Sequence, residues 1–414
     1  MKKIIALLLL LSLTVSVLAS CKKKEDDETG DDDDKILDFL NDDLSAYVEL
    51  DEKYYKGITV IDSLNVLVGH EIIKTLKSYK SKDPVEGDGV ISVGDIVHIY
   101  YKGFYMKDGE PYYFQGGDNT AAASPHALEI GSGGFIPGFE YNMIGLKPAD
   151  YSADEHMLIE TFFPSSYQAP ELAGKVAYFE VRVVKHEEYD APKLDEAFIT
   201  ETLGISADSL SVYEGETTVD RYVSKVRAEY VKNNSYSVEN LVMDAFWSSV
   251  DVGARVKKYP EKQVKEIAEA IQVQIEEYYS SSYYQYMYAI DEFISLYLGF
   301  GADTNYKDAL QTVAKAQVRE QLAFYHILNK EGLRPTDEEY AILFDEYLTE
   351  ALAQNGITRD GFATDEEFEA AKKSYADNII AQNGENYFRS MIYYSIICDA
   401  IVSYAKIESR ELKL

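Results

Sequence analysis

The polar side chains of this sequence form none of the common catalytic constellations. Its six histidines show no metal-ligand spacing and no His-Glu-x-x-His motif; they stand at positions 70, 98, 126, 156, 186 and 326. The sequence also lacks a Gly-x-Ser-x-Gly nucleophile motif and a phosphate-binding loop ending in Gly-Lys-Ser or Gly-Lys-Thr. We therefore expect no metal site, no nucleotide site and no other cofactor.

Aromatic residues beside glycines are concentrated between residues 100 and 180. The longest run is Leu128-Glu129-Ile130-Gly131-Ser132-Gly133-Gly134-Phe135-Ile136-Pro137-Gly138-Phe139-Glu140. The other segments are Tyr100-Tyr101-Lys102-Gly103, Phe114-Gln115-Gly116-Gly117, Phe162-Phe163-Pro164-Ser165-Ser166-Tyr167 and Tyr178-Phe179-Glu180-Val181. Such rings can line an apolar pocket, or they can simply fill the core between a curved sheet and a short helix. Both interpretations stay open on residue types alone.

The order of these segments resembles the FKBP-type prolyl isomerase family, most specifically in the run from Gly131 to Phe139. Two further segments, Glu171-Leu172-Ala173-Gly174-Lys175 and Pro192-Lys193-Leu194-Asp195-Glu196-Ala197-Phe198, extend the resemblance to the trigger factor family. Trigger factors join an FKBP-type domain to a helical part that holds client chains. The resemblance begins near residue 44 and reaches the C-terminus. The family's ribosome-binding domain has no counterpart here, so no ribosome docking is expected.

The resemblance implies a peptidyl-prolyl cis-trans isomerase, which needs neither a nucleophile nor a general base. Rotation about an X-Pro bond meets a barrier of about 18–20 kcal/mol, and a dry apolar pocket lowers it by favouring the twisted amide. Phe139 would form the pocket floor, while the Ile136 N–H and the Tyr167 hydroxyl would bind substrate carbonyls. The remaining pocket residues implied are Tyr101, Phe114, Phe179, Phe135 and His126, the last at a position where the family usually has an aromatic residue.

A second aromatic cluster lies in the C-terminal half, in a chain with 35 tyrosines and a single tryptophan, Trp247. It comprises Tyr278, Tyr279, Tyr283, Tyr284, Tyr286 and Tyr288. On one continuous helix these rings would cover all sides, and tyrosine suits adaptable binding surfaces. Tyr279, Tyr283 and Tyr286 are therefore predicted to bind unfolded clients. Ordinary helix packing is the alternative.

The elements that must position these residues change in type along the chain. Residues 92–187 alternate as strands do, with strands predicted over Val93–Tyr101 and Val176–Val184, a turn at Asp108-Gly109 and a short helix over Phe139–Leu146. From about residue 193 the apolar spacing is helical, and Thr336 with Glu339 and Thr364 with Glu367 resemble capping boxes. We predict an α+β chain: an FKBP-like antiparallel half-barrel with a short helix, followed by an elongated all-α chaperone-type domain.

The N-terminus has the features of an export signal. Lys2 and Lys3 precede an apolar run over 4–17, and Leu18-Ala19-Ser20-Cys21 resembles a lipobox. Lipidation of Cys21 would anchor the chain outside the cytoplasm on a bacterial membrane, and would leave Cys398 without an intramolecular disulfide partner. An uncleaved anchor helix and cleavage without lipidation are the alternatives.

Charge and composition divide the chain further. The predicted parts are a signal peptide (1–20), an acidic tether (21–44), a leading segment with one helix (45–88), an FKBP-type domain (89–190) and a helical domain (191–414). A net charge of −32 repels phosphate backbones, so nucleic acid is excluded as a partner.

These features predict an exported, membrane-anchored folding factor with isomerase and chaperone activity. Its partners would be unfolded or partly folded exported proteins with X-Pro bonds. The alternative is a non-catalytic chaperone or surface binding module that uses the FKBP fold as a scaffold. An adhesin or a nutrient-binding lipoprotein would need a ligand site that the sequence does not reveal.

Overall fold

The computed structural model describes residues 37–107, 110–151, 155–163, 167, 169, 172 and 175–412. The predicted signal segment, the predicted lipidation site Cys21 and the predicted Asp108-Gly109 turn lie outside these residues. Each helix among the described residues is too short or too polar to span a membrane.

The described residues contain nine strands: β1 (Val48–Glu49), β2 (Thr59–Asp62), β3 (Ile96–Lys107), β4 (Glu110–Asp118), β5 (His126–Glu129), β6 (Met157–Phe162), β7 (Val176–Glu187), β8 (Arg255–Val256) and β9 (Lys406–Ser409). Their α-helices are α1 (Lys53–Lys56), α2 (Leu64–Lys77), α3 (Phe139–Met143), α4 (Thr218–Asn234), α5 (Val238–Gly253), α6 (Glu261–Ser281), α7 (Ile290–Tyr297), α8 (Tyr306–Lys330), α9 (Asp337–Gln354), α10 (Asp365–Asn383) and α11 (Glu385–Tyr404). An antiparallel sheet followed by many helices confirms the predicted α+β class.

The described chain divides into two compact units. The sheet unit comprises residues 59–241 and 407–412, and the helical unit comprises residues 37–58 and 242–406. Each unit therefore contains segments that are distant in sequence. The linear domain boundaries given above stay predictions.

The main sheet of the sheet unit is antiparallel, in the order β4-β3-β7-β6, with β5 paired to the other part of β3. Along β3, Val97, Ile99 and Tyr105 are buried at alternating positions, as expected for a strand with one face on a core. Ala177, Phe179 and Val181 do the same on β7. The short helix α3 covers this face with Phe139 and Met143, which belong to the same core cluster.

Strand β3 begins at Ile96, later than the predicted Val93, and continues past the predicted end at Tyr101 to Lys107. Gly103 is not a turn residue here. A Cβ atom at Gly103 would lie 2.5 Å from the Phe114 ring and 2.7 Å from the Phe179 ring, so glycine leaves room for both rings. The closing strand β7 is also longer than predicted and ends at Glu187, whereas α3 is shorter and ends at Met143.

Helix α2 packs against the short helix α3. Val66 and Ile73 form a buried cluster with Tyr141 of α3. Gly69 permits this approach, because a Cβ atom there would lie 2.4 Å from the Tyr141 ring. The opposite side of α2 packs with Phe198 and with other apolar residues that follow the sheet.

The helical unit contains the apolar faces expected from sequence periodicity. On α6, Val264, Ile267, Ile271 and Ile275 are buried, while Ala268 is half-buried. On α8, the buried residues include Leu310, Ala314, Val318, Leu322 and Tyr325.

Only one of the two predicted capping boxes forms completely. Thr336 and Glu339 exchange both hydrogen bonds at the start of α9. At the start of α10, Thr364 accepts a hydrogen bond from the Glu367 N–H, but the Glu367 carboxylate accepts from the N–H of Ala363 at 3.0 Å. The second capping box is therefore only half formed, because the Glu367 carboxylate binds the N–H of Ala363 and not that of Thr364.

Candidate active site

Phe139 is the centre of a ring cluster and is fully buried at the first position of α3. The Phe179 ring of β7 meets it nearly at right angles, with centroids 5.0 Å apart. The Tyr101 ring of β3 lies 6.1 Å away, also edge-on. Phe135, from the loop before α3, stacks on Phe139 with centroids 4.3 Å apart. Edge-to-face and offset-stacked pairs of this kind stabilise an aromatic cluster beyond their buried area.

The turn at Gly138 positions Phe139 in this cluster. Gly138 adopts φ of 95°, which only glycine tolerates well, and α3 begins at the next residue. A side chain at Gly138 would also crowd its surroundings, because its Cβ atom would lie 3.1 Å from the Thr161 hydroxyl. That hydroxyl donates to the Pro137 carbonyl at 2.7 Å and so fixes the turn from the side of β6.

The loop that carries Phe135 and Ile136 is held by the side chain of Glu140. This fully buried carboxylate accepts hydrogen bonds from the N–H groups of Gly131 at 2.8 Å, Gly133 at 3.2 Å and Phe135 at 3.1 Å. The Ser132 hydroxyl adds a fourth at 3.2 Å. Buried charge is tolerated only when it is fully hydrogen-bonded, and Glu140 meets that condition through the backbone.

Sequence reasoning assigned no role to Glu140. The available signal was a glycine-rich loop with several N–H groups lacking a strand partner, followed within a few residues by a carboxylate.

The remaining predicted pocket residues extend the same cluster. The Phe114 ring lies 5.7 Å from Phe179 and 5.4 Å from Phe163. Tyr167 is exposed and packs on Phe163 at 4.6 Å. Phe163 is thus a bridging residue that the sequence prediction did not include.

The other edge of the cluster is formed by His126 and Ile136. The His126 ring is exposed and lies edge-on to Phe135 at 5.3 Å, while Ile136 is half-buried against the core.

Burial raises the pKa of the Tyr101 phenol, helped by the nearby charge of Asp118. Tyr101 therefore keeps its proton near neutrality and can donate a hydrogen bond.

A cleft of about 640 Å³ lies elsewhere in the sheet unit, between the end of α2 and the segment 190–202. It is lined by Tyr79, Lys80, Ser81, Asp190, Ala191, Pro192, Lys193, Asp195, Ala197, Phe198, Glu201 and Thr202. None of these residues belongs to the ring cluster. We place the candidate site at the ring cluster because its apolar aromatic side chains suit an X-Pro bond. The cleft is shallow, and its lining mixes charged, polar and apolar side chains.

The tyrosine cluster of the helical unit does not lie on one helix. Helix α6 ends at Ser281 and a short 3-10 turn follows over Tyr283–Tyr286, so the expectation of rings on all sides of a helix was wrong. Tyr279 packs on Phe293 at 5.2 Å and donates a hydrogen bond to the Tyr288 carbonyl at 2.8 Å. Tyr283 and Tyr286 are 75% and 76% exposed, with their rings 5.7 Å apart. The three predicted client-binding tyrosines therefore differ: one is packed and two are free at the surface.

Comparison with known proteins agrees with this geometry. The family model of the FKBP-type peptidyl-prolyl cis-trans isomerase matches residues 87–184. The trigger factor of Geobacillus kaustophilus is 29% identical over 69% of this chain and 60% of its own length. The trigger factors of Geobacillus thermodenitrificans and Caldicellulosiruptor saccharolyticus are 31% and 27% identical, each over 69% of this chain, and over 60% and 58% of their own lengths.

A solved structure from work on promiscuous substrate recognition by the trigger factor chaperone aligns with 86% of this chain and 73% of its own. Its TM-score is 0.34 and its identity 12%. This chain spans about 60% of the length of the curated trigger factors named above. It contains an FKBP-type domain and is trigger factor-like in sequence, as the motifs predicted.

Proposed function

We propose that this trigger factor-like chain is a folding factor that catalyses cis-trans isomerisation of X-Pro bonds and holds unfolded or partly folded clients. The observation that carries the proposal is the ring cluster around Phe139, which lies inside the segment that matches the FKBP-type family. The whole chain's activity and clients are part of the proposal.

The cluster can lower the rotation barrier without any proton transfer. Amide resonance separates charge, so an apolar surrounding disfavours the planar form relative to the twisted one. Phe139 offers the floor on which a proline ring would pack, and Tyr101 and Phe179 close two sides. In this proposal, the Ile136 N–H and the Tyr167 hydroxyl would hold substrate carbonyls.

The holding activity is assigned to the exposed tyrosines of the helical unit. Tyr283 and Tyr286 present apolar ring faces with polar edges to solvent, a combination that suits many different unfolded segments. The chain's net charge of −32 would help keep such complexes in solution.

We also propose export and lipid anchoring through Cys21, on the sequence evidence of the lipobox-like segment. The clients would then be exported proteins. In a bacterial host, labelled palmitate should be incorporated into the full chain and the chain should fractionate with membranes. Cys21→Ser should abolish both. A wild type that fractionates with membranes but incorporates no label would contradict lipidation and favour an uncleaved anchor helix.

The main test is the refolding of a protein whose slow phase is limited by prolyl isomerisation, with the full chain added in detergent micelles. Wild type should accelerate this phase, and Phe139→Ala should remove the acceleration. Phe246→Ala, which truncates an equally buried ring in the helical unit, controls for general destabilisation. A wild type that prevents aggregation without accelerating refolding would contradict catalysis and support the non-catalytic alternative.

That alternative is favoured by one observation. Phe139 has no exposed surface in this structure, and the Phe135 ring covers it. A pocket that stayed in this state would leave the FKBP fold as a scaffold only.

A further inference from the structure

The Phe135 ring packs directly on Phe139, the predicted floor of the candidate pocket. Phe135 lies 4.3 Å from Phe139 between centroids, with only 24° between the ring planes. Tyr101 and His126 each meet the Phe135 ring edge-on at 5.3 Å. Phe135 therefore contacts the floor, one side and the rim of the candidate pocket at once.

We propose that Phe135 is an internal stand-in for the client's proline ring, and that a client must displace it to reach Phe139. The inference rests on the proposed isomerase function and concerns which residue controls entry to that site. Phe135 would then be a specificity-determining residue that lowers the affinity for every X-Pro segment, and not a wall that adds affinity.

The backbone of Phe135 is held by a hydrogen bond, whereas its side chain is only partly enclosed. Its N–H donates to the Glu140 carboxylate at 3.1 Å, and the same carboxylate binds the N–H of Gly131 at 2.8 Å. The loop is thus held at two points by one buried group. Phe135 is only half-buried and its neighbour His126 is exposed, so the proposal places the displaced ring on the solvent side of the pocket.

If Phe135 blocks the site, truncating it should change the affinity for clients in the direction opposite to that expected for an ordinary pocket residue. When only a fraction of molecules has an open site, the apparent dissociation constant is the intrinsic one divided by that fraction. Removing a stacked ring pair changes such an equilibrium by roughly threefold to tenfold. Truncating Phe135 should therefore tighten client binding, whereas truncating a wall residue should weaken it.

The experiment is fluorescence anisotropy of a labelled proline-containing peptide with the full chain. We expect Phe135→Ala to bind roughly threefold to tenfold more tightly than wild type. Phe114→Ala, which truncates a predicted wall residue packed on Phe179 at 5.7 Å, should bind more weakly. Equal or weaker binding by Phe135→Ala, with wild type still binding, would overturn the inference and leave the proposed function standing. Binding by neither protein would overturn the proposed function itself.

A second measurement tests directly whether the Phe135 ring shields residue 139 from solvent, and it does not depend on activity. Phe139→Trp in a Trp247→Phe background places the chain's single tryptophan at the pocket floor, where its emission can be excited selectively over that of the tyrosines. Adding Phe135→Ala should raise the acrylamide quenching constant and shift the emission to longer wavelength. An unchanged quenching constant in a folded protein would show that Phe135 does not shield the floor and would overturn the inference.

Discussion

The Glu140 carboxylate accepts a hydrogen bond from the backbone N–H of Gly131 at 2.8 Å, at the start of the loop that supplies Phe135 and Ile136. The same buried group holds the N–H groups of Gly133 and Phe135. One side chain of α3 thereby sets the position of Phe135 and Ile136 relative to Phe139.

Removing this carboxylate should be costly, because the buried N–H of Gly131 and the partly buried N–H groups of Gly133 and Phe135 would lose their acceptor. We expect Glu140→Ala to lower the free energy of unfolding of the sheet unit by about 3–5 kcal/mol, and Glu140→Gln by less. Glu160→Gln is the control, since Glu160 is a partly exposed partner of Arg410 and should cost about 0–1 kcal/mol. Hydrogen exchange of the β3 amides measures the loss of unfolding free energy in both the Glu140 and the Glu160 variants. Equal protection in Glu140→Ala and Glu160→Gln would contradict the role of Glu140.

The contact between α2 and α3 sets two effects against each other. Gly69→Ala raises helix propensity by up to about 1 kcal/mol, but its Cβ atom would meet the buried Tyr141 ring at 2.4 Å. Overpacking should win, giving a net loss of about 1–3 kcal/mol in unfolding free energy.

Gly361→Ala, which meets nothing within 4 Å, is the control for this substitution. Tyr141→Leu in the Gly69→Ala background should recover part of the loss. A more stable Gly69→Ala protein would contradict the packing described for α2.

The alternation of apolar residues predicted most of β3 and β7, because a strand with one buried face leaves that local pattern. The ring set of the candidate site followed from the family resemblance of its segments and stays a prediction. The sequence could not predict the end of β3, since Gly103 resembles a turn residue and is instead required by Phe114 and Phe179 from other strands. It could not predict the Phe135–Phe139 stack either. Whether a ring lines a pocket or fills it depends on a side-chain rotation that no spacing encodes.

The exposed tyrosines give a test of client holding. Replacing Tyr283 and Tyr286 together by serine should reduce suppression of client aggregation, while the unfolding free energy changes by about 0.5 kcal/mol or less. Tyr279→Phe should do the reverse: it removes the hydrogen bond to the Tyr288 carbonyl, costs about 1 kcal/mol and leaves holding intact. Full holding by the double serine protein would rule out this surface.

Glu320 in the helical unit should make the unfolding free energy depend on pH. Burial, reinforced by Asp251, raises the pKa of Glu320 to about 7 from an ordinary value of 4.5. The folded protein therefore binds this proton more tightly than the unfolded chain. The stabilisation from neutral Glu320 is complete below pH 4.5 and is lost as the pH rises through 7.

Glu320→Gln keeps the side chain neutral at every pH. Relative to wild type, it should gain stability on the order of 2 kcal/mol between pH 5 and pH 8. Urea unfolding followed by the fluorescence of Trp247, which lies in the same unit, measures this gain. The exposed Glu277→Gln is the control. A difference between Glu320→Gln and wild type that does not change with pH would contradict the assignment.

The tyrosine cluster shows why the helical unit was harder to predict than the sheet unit. Apolar spacing correctly located the faces of α6 and α8, because that period is set by the helix itself. The end of α6 at Ser281 has no proline or glycine to mark it. The tyrosines beyond it therefore seemed to continue one helix, although Tyr283 begins a separate turn.

The most direct test of the account is catalysis of X-Pro exchange in a short peptide, measured by NMR exchange spectroscopy with catalytic amounts of the full chain. A short peptide isolates the pocket from client holding. Wild type and Phe246→Ala should both speed the cis-trans exchange, and Phe139→Ala should return it to the uncatalysed rate. Exchange that is equally fast with wild type and Phe139→Ala, or equally slow with wild type and buffer, would contradict a catalytic pocket at Phe139.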